Sequence, residues 1–212
     1  MVHDWKKWKA EYDESWVEYQ TMWQIWNDVL YEMCQRYPKH KRKKEIAAKV
    51  GLIGRSYMSG IERHSKKTIF GIIEFFHKHG SEIDDLFASL RSLKEPLTIE
   101  KLQLIVAVHG KFLSILRKMT RDRNTLRSFA AKYMHFHCSA VPIFDNIANN
   151  VIKQRGWYPL TDARIPRFAK PRYADDIYHD FCVRFFSLYC DLKRSGFKVD
   201  VRRLDHYLLW NQ

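Results

Sequence analysis

From Trp5 to Met33 the chain places Trp5, Trp8, Tyr12, Trp16, Tyr19, Trp23, Trp26, Leu30 and Met33 three or four positions apart. That spacing is the period of one helical stripe. A run of large rings this long predicts a scaffold helix over residues 5–37, packing its aromatics into the core and ended by Pro38. The rest of the chain offers little against helices. Eight Gly and six Pro punctuate 212 residues, and β-branched residues nowhere alternate convincingly with polar ones, so strands and hairpins lack their signals. With 46% hydrophobic and 15% aromatic residues, the chain has enough large side chains to bury an apolar core.

Helical patterns recur from Ile46 to Ile61, over 69–79 and 82–93, over 99–119 behind Thr98 as N-cap, over 125–137, and from Asp145 onward. Two more follow over 173–194 and 201–210, the last opened by Asp200 and predicted to be structural only. Residues 155–172 contain three of the six prolines and no helical period, which predicts a long loop. The expected fold is all-α, a multi-helix orthogonal bundle. A boundary near Pro96 would separate an N-terminal helical region, 1–96, from a C-terminal one, 97–212.

Against 24 acids stand 37 Lys and Arg, a formal net charge of +13, which attracts polyanions and points to nucleic acid as partner. The runs Lys39–Lys44 and Arg63–Lys67 bracket one helix as possible phosphate clamps. The loop residues Arg155, Arg164, Arg167, Lys170 and Arg172 suit phosphate contacts, with Trp157 and Tyr158 as stacking or wedging rings. Cys34, Cys138, Cys182 and Cys190 form no CxxC pair, and no signal-peptide pattern is present, so a reduced, cytoplasmic chain is expected. No apolar run is long enough for a bilayer, and no membrane or obligate protein partner is expected.

The most informative stretch is Leu126 to Val151: a helix, the extended segment Val141-Pro142-Ile143-Phe144, and Asp145 at the mouth of the next helix. This order resembles the helix-hairpin-helix DNA glycosylases, over roughly residues 99–210. The resemblance implies a glycosylase-like set of helices around a basic cleft that holds DNA, expected to be double-stranded. It also implies that Asp145 stabilises the cationic sugar as a flipped, damaged or modified base departs. A carboxylate does this best where water is excluded. Arg127 or Ser128 stands where strand-cutting members carry a nucleophilic lysine, which implies a monofunctional hydrolase, with Lys132 as second candidate. There is no Leu-Pro-Gly-x-Gly hairpin, which residues 120–125 would have to replace, and no cysteine cluster for an iron–sulfur centre.

Tyr133, His135, Phe136, His137 and Phe144 supply the ring faces and hydrogen-bond partners that an extruded base needs. His135 and His137 point about 200° apart on a helix, so at most one faces a pocket. Arg127 joins the expected DNA contacts. No metal or cofactor is expected, since His135, His137 and Cys138 cannot converge on one ion. Two further readings stand beside the enzyme: a nucleic-acid-binding module in which Asp145 only caps its helix, and a HEPN-like ribonuclease, from the similar spacing of Arg172 and His179.

Overall fold

A computed structural model describes residues 5–120, 126–155, 157–162 and 165–210. Among the described residues the chain forms eleven helices and no strand, so the protein is all-α. In chain order they are α1 (Trp5–Met22), α2 (Gln24–Arg36), α3 (Lys43–Ser56), α4 (Ile61–His64), α5 (Ile69–Lys78), α6 (Gly80–Ala88), α7 (Ile99–Arg117), α8 (Arg127–His137), α9 (Asn146–Gln154), α10 (Asp176–Arg194) and α11 (Val201–Trp210). Local chemistry explains most boundaries. The Thr98 hydroxyl accepts from Lys101 N at 3.3 Å to open α7, and Asp200 Oδ1 accepts from Arg203 N at 2.7 Å to open α11.

The stripe expected as one helix is two, broken at Trp23. Trp23 N still donates to Tyr19 O at 2.8 Å and Asn27 N to Trp23 O at 3.2 Å, so the break is a local distortion in a nearly continuous rod. Tyr12, Tyr19, Leu30 and Cys34 reach the interior, as a scaffold helix requires, but Trp23 and Trp26 remain exposed. The stripe is therefore only partly core, because it is longer than the surface α1 and α2 find on α11, α3 and α8.

Helix α8 is the central element. From Phe129 to Phe136 every residue is buried, and its rings mesh with Phe76, Phe87 and Phe112 from α5, α6 and α7. Gly110 lets the turn that leads into α10 lie against α7; a Cβ there would sit 1.8 Å from the Tyr173 carbonyl oxygen. No helix among the described residues is long and apolar enough to cross a membrane.

Helix α3 closes through a strained turn: Met58 has φ 46° and Gly60 φ 72°. Met58 is also 87% exposed, so its side chain contributes almost no packing in return for a left-handed backbone. Met58→Gly is expected to raise stability by about 0.5–1 kcal/mol, the strain relieved exceeding the extra unfolded-state entropy. A urea transition moved to higher denaturant with unchanged slope would show it; a loss would mean the Met58 side chain packs.

Candidate active site

The Val141–Phe144 segment is buried throughout and pinned from two sides. His135 Nδ1 donates to Val141 O at 2.8 Å, and Tyr178 OH donates to Pro142 O at 2.8 Å. Held extended, the segment delivers Asp145 to the N-cap of α9, with φ −133° and ψ 148°. Asp145 Oδ1 accepts from Ile147 N at 2.9 Å, and Oδ2 receives Lys132 Nζ at 2.6 Å. The carboxylate keeps 19% of its side-chain surface in solvent while Lys132 keeps 5%. Lys132 Nζ also donates to Tyr57 O at 3.2 Å, which ties the site to the turn ending α3.

A second charged pair lies beneath. Arg202 Nη1 donates to Asp205 Oδ2 at 3.1 Å, and Arg202 Nη2 donates to Tyr57 OH at 3.1 Å, while Tyr57 itself donates to Asn27 Oδ1. Burial pushes the Asp205 carboxyl up to about 6, against the pull of Arg202 and Lys132 and with a further push from Asp145. Its Oδ1 has no hydrogen-bond partner. Helix α11, expected to be structural only, thus places two charges beside the candidate acid. The signal was present: Asp205 interrupts the apolar face of Val201, Leu204 and Leu208.

The expected base-binding rings are placed differently. Tyr133, His135, Phe144 and Trp157 are buried in the core; Tyr133 and His135 belong to the stretch of α8, Phe129 to Phe136, that has no solvent face from which a pocket could be lined. Tyr133 OH donates to His40 Nε2 at 2.7 Å, and His40 Nδ1 in turn donates to Asp84 at 2.8 Å. His135 accepts from Tyr31 OH on Nε2 and is held neutral, burial first and Arg202 second driving its pKa down to about 3. His137 packs inside against Tyr133, tilted, and Phe87, edge to face, both with centroids at 5.1 Å, so both histidines face inward. Phe144 packs on Phe181, Trp157 packs on Trp8 at 4.5 Å, and Tyr158 donates to Asp191 Oδ2 at 2.5 Å.

Arg127 is corrected as well. It is buried and bonded to both oxygens of Asp175, the cap of α10, so its guanidinium does not face phosphate. Arg155, Arg167, Lys170 and Arg172 are exposed as expected. Lys170 pairs with Asp176 at 2.8 Å, and Arg172 lies over Tyr173 at 5.6 Å. Arg164 and residues 121–125 lie outside the described residues. His179 is held by Asp180 and the Phe168 carbonyl, both at 3.3 Å, and neither contact involves Arg172.

A separate cleft of about 620 Å³ opens between Lys39–Lys41, the end of α5, and α6. Lys39, Lys41, His77 and Arg91 line it opposite Asp84 and Asp85. Among the described residues no three His, Cys, Asp or Glu side chains are arranged to hold a metal ion. Comparison with protein-family models, curated proteins and solved structures finds no match to this chain.

Proposed function

We propose that this chain is a DNA glycosylase-like hydrolase of the reduced, cytoplasmic compartment, with Asp145 as the carboxylate that faces the sugar of an extruded nucleotide. The observation that carries the reading is the Asp145–Lys132 pair at 2.6 Å, set at the partly open mouth of α9. A carboxylate held in a fixed position stabilises the oxocarbenium-like charge that develops as a glycosidic bond breaks. Lys132 acts here as the partner that orients Asp145, which keeps the reaction monofunctional. The exposed Lys41, Lys43, Lys44, Lys66, Lys67, Arg167 and Arg172 supply sequence-independent hold on the phosphates.

The test is base release from duplex DNAs carrying damaged bases or bulky pyrimidine modifications, read as alkali-labile abasic sites. Asp145→Asn retains a good helix cap but no charge. It is expected to slow release at least about 100-fold while leaving the protein folded. Borohydride is expected to trap no covalent DNA adduct with the parent protein; an adduct lost in Lys132→Met would move the nucleophile to Lys132. A second reading has its own observation: both Asp145 oxygens already have partners inside the protein. If no substrate yields abasic sites and Asp145→Ala leaves DNA affinity intact, the chain is a binding module.

A further inference from the structure

Among the described residues, six of the twelve exposed large hydrophobic side chains fall in one stretch, the other six being scattered. Val17, Met22, Trp23, Ile25, Trp26 and Val29 lie within thirteen residues across the α1–α2 junction, with exposures from 45% at Trp23 to 78% at Ile25. A buried Trp contributes about 150–250 Å², so six side chains exposed to this degree present on the order of 600 Å². That is at the top of the range for a monomer's largest patch and near the ~800 Å² each partner gives to a standard interface.

The charge around the patch differs from that of the rest of the chain. Residues 10–35 hold Glu11, Asp13, Glu14, Glu18, Asp28 and Glu32, six of the 24 acids, and none of the 37 Lys and Arg. Asp13 is engaged by Lys9 and Arg203. Glu14, Asp28 and Glu32 are exposed, Glu18 is half-buried, and no ion pair among the described residues uses any of the four. A phosphate backbone is repelled by such a rim. Two copies meeting face to face by a two-fold axis would set acid against acid. A chain segment with Lys and Arg flanking apolar side chains satisfies both halves of the surface at once.

We propose that the α1–α2 face docks a basic amphipathic helix of a partner protein, apolar residues seated on Ile25, Trp26 and Val29 and cations over Glu14, Asp28 and Glu32. The surface is independent of what Asp145 does. The experiment uses the full chain and two synthetic 18-residue amphipathic helices of equal hydrophobicity, one of Leu and Lys, one of Leu and Glu. Because the whole protein carries +13, its overall field favours the acidic peptide, and a preference for the basic one reports the local rim. The Leu–Lys peptide is expected to bind at least tenfold more tightly, with a blue shift of tryptophan emission. Ile25→Ser with Trp26→Ser, and separately Glu14→Lys with Glu32→Lys, should each weaken it at least tenfold with unchanged circular dichroism. Equal binding of the two peptides, binding that survives both double variants, or a dimer by sedimentation that Trp26→Ser dissolves would each overturn the proposal.

Discussion

Lowering the pH from 7 to 5 is expected to remove several kcal/mol of stability and to bring the protein close to unfolding. The cause is a set of histidines buried in neutral form. His109 is stacked on Tyr178 and His135 is bonded between Tyr31 and Val141; burial drives them to pKa values of about 4 and about 3. An unfolded histidine titrates near 6.5, so between there and the folded values the unfolded chain binds more protons and stability falls as pH falls. At 1.36 kcal/mol per pH unit each, these two alone lose about 4 kcal/mol at pH 5. His40, His137 and His206, also shifted down chiefly by burial, add loss in the same sense.

Asp205 opposes them. Its folded value of about 6 lies above that of an unfolded aspartate, so the folded state takes up its proton first. Stability from this group is present at low pH and is lost as pH rises through 6, returning about 1 kcal/mol at pH 5. Against a typical total of about 5–15 kcal/mol, the histidines win. Urea titrations at pH 7, 6 and 5 should show a falling midpoint, and Asp205→Asn should make the fall steeper by about 1 kcal/mol. A stability that stays level over this interval would contradict the neutral, buried state of His109 and His135.

Asp175→Ala is expected to destabilise the protein by about 3–5 kcal/mol, or a melting point lower by roughly 10 °C. Asp175 caps α10 by accepting from Tyr178 N at 3.0 Å, binds Arg127 through both oxygens, and meets Arg117 Nη2 at 3.3 Å. Burial pushes its carboxyl up, but the Arg127 hydrogen bonds and the Tyr178 amide outweigh that and hold it below the usual carboxylate range. Removing it strands a buried guanidinium, and the cost of that uncompensated charge exceeds the loss of the cap alone, about 0.5–2 kcal/mol. Asp175→Asn keeps a cap acceptor and loses the charge, so it should fall between. Asp176→Ala next door breaks only the exposed pair with Lys170 and should cost under ~1 kcal/mol. A melting point for Asp175→Ala within 2 °C of the parent would remove Arg127 from the core.

Helix identity was written locally. Apolar recurrence at three and four, Thr98, Asp145 and Asp200 as caps, and the prolines of the 155–172 loop were all legible, because periodicity and capping depend on neighbours a few residues away. Asp145 as the residue that opens α9 was legible for the same reason. Its ion partner was not: the sequence places Lys132 on the same helical face as Ser128, yet only the fold brings its amine to the carboxylate and to the Tyr57 carbonyl.

Burial was the other thing that spacing could not determine. Tyr133, His135 and Phe144 look alike in sequence whether they line a pocket or fill a core; α8 is surrounded by other helices and Phe144 packs on Phe181, so all three fill it. Arg127 reads as a surface cation until Asp175, 48 residues later, arrives to pair with it. Trp23 and Trp26 read as core until α1 and α2 run out of surface to cover them. The order of residues determined which segments coil and which residues start them. Which face of each coil meets water, and which charges meet each other, was decided by contacts between distant segments that no local pattern encodes.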